Sequence, residues 1–89
     1  MRRHPAITLF RILGVPQRVV VLQRLARRPS TASELAKELP ISRSAVVQHL
    51  SVLREHGLVD ATTEGRNRLY RVIPTGLTPL AAWLETYGT

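Results

Sequence analysis

The stretch from Ile41 to Val59, ISRSAVVQHLSVLREHGLV, constrains the fold more than any other segment of the chain. Ser42 offers a hydroxyl that accepts from a free backbone N–H at a helix start. Val46, Leu50 and Leu53 recur at helical spacing and form one apolar stripe. Gly57 stops the helix, because glycine takes the left-handed conformation that helix ends favour. The other faces carry Arg43, Ser44, Val47, Gln48 and Ser51. A helix packed on one side, with short or hydrogen-bonding groups on the other, fits a DNA major groove. Arginine pairs with guanine, glutamine with adenine, and valine meets a thymine methyl. Ser44 and Gln48 lie one turn apart and face the same strip of groove. A valine exposed on a polar face wants a partner, which argues against an idle solvated surface. Ser42, Arg43, Ser44, Val47, Gln48 and Ser51 are therefore the candidate DNA-contacting residues of this helix.

The segments around it complete an architecture. Residues 5–14 form a first helix with Ile7, Phe10 and Leu13 on one side, ended by Gly14. Pro16 opens a second helix, where a first helical position tolerates proline. It runs to about Arg28, with Val19, Leu22, Leu25 and Ala26 inward. Thr31 to Glu34 has the form of a capping box, with a hydroxyl at the cap and a carboxylate three residues on. The third helix buries Leu35 and Leu39, and Pro40 and Ile41 turn the chain into the helix above. Two helices joined this way are a helix-turn-helix. LVDATT and RLYRVI flank EGRN and read as a β-hairpin whose tip carries Arg66, Asn67 and Arg68. PTGLTPLAAWLETY closes the chain as a helix with Leu77, Leu80, Leu84 and Tyr87 on one face. Pro79 is tolerated in its first turn, where N–H groups lack partners. The fold class is mostly α with a small β-hairpin: a winged helix-turn-helix of about five helices and a two-stranded wing. Residues 1–89 form one domain, and terminal helices at about 5–14 and 76–87 are left to meet a second subunit.

Charge narrows the partner. The chain has 13 Lys+Arg against 6 Asp+Glu, a formal charge of +7. Residues 1–28 hold seven arginines (Arg2, Arg3, Arg11, Arg18, Arg24, Arg27 and Arg28) and no acid. That distribution favours a polyanion, most commonly nucleic acid. With no cysteine, disulfides, thiolate metal sites and thiol redox sensing are excluded. The N-terminus is basic and then apolar, but Arg11 interrupts the apolar run and no small-residue cleavage site follows. No run approaches the roughly 18 apolar residues of a membrane span, and a cytoplasmic protein without membrane contact is expected. No nucleophile–base pair, carboxylate pair or glycine-rich phosphate loop is visible, so no enzyme and no cofactor is expected.

TASELAKEL, SRSAVVQHLSVLREHGLV, EGRNRLYRV and LAAWLETY together resemble the ArsR/SmtB family of bacterial and archaeal repressors, over residues 7–87. The resemblance implies a homodimer joined by the first and last helices, binding to near-palindromic operators, and release on binding of a ligand, classically a metal. Departures shape what carries over. Thr31 and Ser33 stand where the arsenic and cadmium sensors place a cysteine pair. The last helix offers only Glu85 where zinc and nickel sensors place histidine and acidic pairs. The resemblance therefore implies DNA binding and dimerisation without metal sensing. Pro40 replaces a glycine common in the family's turn, Val47 a frequent serine and Ser51 a frequent lysine, so operator sequence does not transfer from relatives.

The remaining candidates follow. Arg66, Asn67 and Arg68 suit a phosphate backbone or a narrow minor groove. Tyr70 either reaches a phosphate or packs on the sheet. Thr31 and Ser33 open a helix whose free N–H groups suit a phosphate, although capping is their certain role. Ile7, Phe10, Leu13, Leu80, Trp83, Leu84 and Tyr87 exceed the needs of one small core and are candidate dimer contacts. His49 is expected as a satisfied, half-buried link between helices and His56 as a partner to the helix end. With His4, they show no short metal-ligand spacing. Glu34, Lys37 and Glu38 read as a solvated helix face. The leading function is a sequence-specific, homodimeric DNA-binding regulator, a repressor, with an effector left open. Two alternatives are an antitoxin-like protein-interaction module and an RNA-binding winged domain. Arg43 and Gln48 argue against the first, and the scarcity of exposed aromatics for base stacking argues against the second.

Overall fold

A computed structural model describes residues 4–88. The order is α1 (Ala6–Leu13), α2 (Pro16–Arg27), β1 (Ser30–Thr31), α3 (Ala32–Glu38), α4 (Arg43–Glu55), β2 (Val59–Glu64), β3 (Asn67–Val72), a 3-10 turn (Pro74–Leu77) and α5 (Thr78–Tyr87). Arg2 and Arg3 of the expected basic N-terminus lie outside the described residues. No single helix among those described is long and apolar enough to cross a membrane.

The helical periodicity of α4 is realised as expected. Val46, Leu50 and Leu53 are fully buried, and they join Val21, Leu35, Leu58 and Val59 at the centre of the core. Burial of each such side chain is worth about 1.5–3 kcal/mol relative to exposure. Ser42 Oγ accepts from the Ala45 N–H at 3.2 Å, which caps the helix. At the other end Leu58 N–H donates to Leu53 O and Gly57 N–H to Arg54 O. That pair of bonds is the Schellman pattern, and it requires the left-handed φ of +74° that Gly57 supplies. The reversal at Gly57 sends the chain directly into β2.

The capping box at α3 is also present. Glu34 N–H donates to Thr31 Oγ1, and Thr31 N–H donates to the Glu34 carboxylate. The Thr31 N–H holds the Glu34 carboxyl below its ordinary range. The expected hairpin forms from β2 and β3, and a third strand, β1, joins it. The antiparallel sheet has the order β1-β3-β2, with Ser30 opposite Tyr70 and Thr31 opposite Leu69. β1 is a two-residue strand of serine and threonine, without apolar alternation to announce it. Pairing to β3 fixes the start of α3 beside the wing.

Three inward assignments change. On α2 the buried set is Val21, Leu22, Arg24 and Leu25, while Val19 is half-buried and Ala26 exposed. Leu39 is half-buried rather than buried, because α3 ends at Glu38 and Leu39 already has extended backbone. Glu38 is not a merely solvated residue. Both its oxygens accept from Arg24, and Arg28 Nη2 also donates to Oε1 at 3.0 Å. Arg24 is only 5% exposed, so this carboxylate is what permits a guanidinium inside the fold. The hydrogen bond from Arg24 keeps the Glu38 carboxyl below its usual range, and the same contact raises Arg24. The pair ties α2 to the end of α3, immediately before the turn into α4.

Candidate nucleic-acid interface

Arg43, Ser44, Val47, Gln48 and Ser51 are all exposed, because the α4 stripe that faces the core leaves them on the opposite side. Val47 is 42% exposed. Arg43 is not free-standing. Its Nε donates to Ser33 Oγ at 3.1 Å, so α3 steadies the stem of an arginine on α4. Ser42 and Ser44 hydroxyls lie 3.4 Å apart. The Arg43–Ser33 contact spans ten positions and has no local signature in the sequence.

α4, the start of α3 and the wing enclose one open groove of about 250 Å³. Thr31 and Ser33 come from α3 and its cap, Arg43 and Val47 from α4, and Arg66, Asn67 and Arg68 from the wing. Residues expected to act together from three separate segments thus line one surface. Gln48, Ser44 and Ser51 are exposed on α4 but do not line this groove. Tyr70 belongs mainly to the core at 9% exposure, and only part of it reaches the groove. Packing therefore accounts for most of its surface.

The wing tip is tighter than EGRN implies. Glu64 pairs with Asn67, which leaves Gly65 and Arg66 as the two-residue turn and places Asn67 and Arg68 within β3. Gly65 has φ of +62°, and no described non-glycine residue has positive φ. Glycine first and a negative φ second fit a type II′ hairpin turn. Arg66 and Arg68 are exposed and make no ion pair among the described residues.

His49 lies on the half-buried flank of α4. Its Nε2 meets Gln17 Oε1 of α2 at 2.9 Å, and its Nδ1 is buried without a hydrogen-bond partner. Burial, reinforced by the nearby Arg18 cation, lowers its pKa. His49 thus links helices as expected, but it is not the fully satisfied histidine expected, since only Nε2 has a partner. His56 Nδ1 lies 2.9 Å from Val52 O at the end of α4. The donors present do not fit a transition metal. Thr31 and Ser33 are neutral hydroxyls engaged with backbone or Arg43, α5 contributes one carboxylate, and no three His, Asp or Glu cluster among the described residues.

Comparison with known proteins agrees with this geometry. Residues 15–61 match the family described as "Bacterial regulatory protein, arsR family". That span covers α2, α3, α4 and the beginning of β2, which includes the whole helix-turn-helix. The chain belongs to the ArsR family. Among ArsR-family relatives, it is 43% identical over 72 residues to the HTH-type transcriptional regulator Rv2034 of Mycobacterium tuberculosis, covering 81% of this chain and 67% of that one. It is 31% identical over 81 residues to the HTH-type transcriptional regulator YgaV of Escherichia coli, covering 90% and 82%. An ArsR-like transcriptional regulator from Rhodococcus sp. RHA1 superposes with a TM-score of 0.82 at 36% identity, covering 92% of this chain and 77% of that one. The winged helix-turn-helix is therefore an ArsR-family DNA-binding transcriptional regulator.

Two terminal elements complete the picture. α1 buries Ala6, Leu9 and Ile12 and leaves Ile7 and Phe10 exposed. On α5, Leu84 and Tyr87 are more than half exposed, while Leu80 and Trp83 are half-buried. Phe10 packs edge-on to Trp83 at 5.0 Å, and Trp83 meets Tyr87 at 5.3 Å between ring centroids. Leu13 and Leu80 already pack partly against the core, so less of each remains for a partner.

Proposed function

We propose that the protein is a homodimeric, sequence-specific repressor acting in the cytoplasm on a near-palindromic operator, without metal control. The observation that carries this reading is the groove. A face of α4 with no core duty lies beside the capped start of α3 and two wing arginines that make no ion pair among the described residues. In this reading α4 presents Arg43, Ser44, Val47, Gln48 and Ser51 to base edges, with Ser42 at its start. Arg66, Asn67 and Arg68, with Thr31 and Ser33, hold phosphates and set register. Tyr70 supports the wing from beneath.

The dimer is supported by the exposed Ile7, Phe10, Leu84 and Tyr87, of which Phe10 and Tyr87 both pack against Trp83. Leu13 and Leu80 contribute what their own core leaves accessible. Loss of metal control is supported by the unsuitable donor set on α3 and α5.

Selection from random duplexes followed by footprinting tests the reading. The expected product is a pair of inverted half-sites about one helical turn apart, centre to centre. Zinc, cadmium and arsenite are expected to leave affinity for that site unchanged. A single asymmetric half-site, no enriched sequence, or release by stoichiometric metal would contradict it.

A further inference from the structure

β1 ends where its partner does not. It pairs with Leu69 and Tyr70 of β3, and β3 continues through Arg71 and Val72. On the N-terminal side of β1, between the C-terminal end of α2 and the base of the wing, lies a second, open depression of about 340 Å³. Val72 and Pro74 give it apolar walls over the buried Leu25, and Arg27, Arg28 and Arg71 surround it. No acidic residue lines it, and it shares no residue with the groove of α4 and the wing.

The three cations are incompletely matched. Arg27 is exposed and makes no ion pair among the described residues. Arg28 gives one nitrogen to Glu38 at 3.0 Å and is otherwise 56% exposed. Arg71 is loosely held: its Nη2 reaches Thr62 Oγ1 only at 3.4 Å, and its Nε lies 3.9 Å from Asp60 without a hydrogen bond. Three guanidinium groups around one cavity repel one another, and an anion among them removes that repulsion. The planar fork of arginine matches a carboxylate through paired hydrogen bonds. A nucleic-acid backbone needs the charge but not the apolar walls. Concave sites with an apolar lining and a few polar anchors are the usual form of small-molecule pockets, and the volume lies in their range of roughly 300–1,000 Å³.

We propose that this depression binds a small organic anion, with its carboxylate held by Arg27, Arg28 and Arg71 and its apolar body against Val72 and Pro74. The site stands apart from the DNA-reading face, and β3 connects the two. The ligand class is a monocarboxylate with a short hydrocarbon body.

The test is a titration of the isotope-labelled full chain with octanoate at fixed ionic strength, followed by amide chemical shifts. Saturable shifts are expected at residues 25–29 and 71–74. Arg27→Ala, at an exposed side chain, and Arg71→Ala, at a half-buried one, should each weaken binding about tenfold while leaving the circular dichroism unchanged. Octanol, which lacks the charge, and inorganic phosphate, which lacks the apolar body, should bind about tenfold more weakly or worse. Shifts confined to α1 and α5, unchanged affinity in both variants, or phosphate binding as well as octanoate would overturn the proposal. So would a non-operator duplex that shifts the same amides, since the arginines would then belong to the nucleic-acid surface.

Discussion

Replacing Arg66 and Arg68 together by alanine separates the work of the wing from that of α4. Both side chains are exposed, both line the groove, and neither is tied to an acid among the described residues. Their loss should therefore cost little folding stability and act on DNA directly. Each neutralised phosphate releases about 0.9 counterion, so two arginines give a salt slope of ~1.8 per protomer. In a dimer the slope of log affinity against log salt should shrink by ~3.6. Raising salt from about 50 to about 200 mM should then penalise the native protein about tenfold more per protomer than the variant. At any one salt concentration, affinities for operator and random duplex should fall by similar factors, because phosphates carry no sequence. Fluorescence anisotropy with labelled operator and random duplexes at several salt concentrations measures both quantities. An unchanged slope would remove the wing from the interface. A loss restricted to the operator would mean that the wing reads bases rather than phosphates.

Acid should loosen the fold through His49 before it reaches the carboxylates. Its folded pKa is lowered by burial and by Arg18, so the unfolded chain takes up the proton first. The associated stability is complete above the ordinary value of 6.5 and is lost as pH falls from there toward the folded value. His49→Gln should flatten the dependence of the urea midpoint on pH in that window, and an unaltered slope would contradict this. Glu34 and Glu38, whose pKa values are also lowered, contribute stability above 4.5 that is lost as pH falls further, so the two effects occupy separate ranges. Gly57→Ala should cost ~1–2 kcal/mol in denaturant unfolding, since the space around Gly57 is open and only its positive φ resists a side chain; an unchanged midpoint would contradict that. Sedimentation should show a dimer at micromolar concentration, and Phe10→Asp should shift it toward a folded monomer. A native species of 10.0 kDa would refute the dimer.

What could be read from the sequence divides along a physical line. Local rules predicted α4 correctly, because its apolar stripe, its serine cap and its terminal glycine all act within a few residues. The capping box at Thr31 and Glu34 is equally local. β1 was hidden because Ser30 and Thr31 become a strand only through pairing with β3, far along the chain. Arg24 and Glu38 misled for the same reason. Each is ordinarily a surface residue, and only the packing of α2 on α3 turns them into a buried cation and its counter-charge. Within the candidate interface, charge and residue type pointed to α4 and the wing separately. Their convergence on one groove, and the Arg43–Ser33 contact that steadies it, depend on tertiary placement.

The central claim is that the N-terminal face of α4 reads base sequence. Operator-over-random discrimination, measured for Arg43→Ala and Gln48→Ala at one fixed salt concentration, tests it most directly. Each variant should lose ~1–3 kcal/mol of discrimination, as expected for removal of a bidentate base contact, while random-duplex affinity changes far less for Gln48→Ala. If both variants keep the full preference of the native protein, α4 does not read the operator.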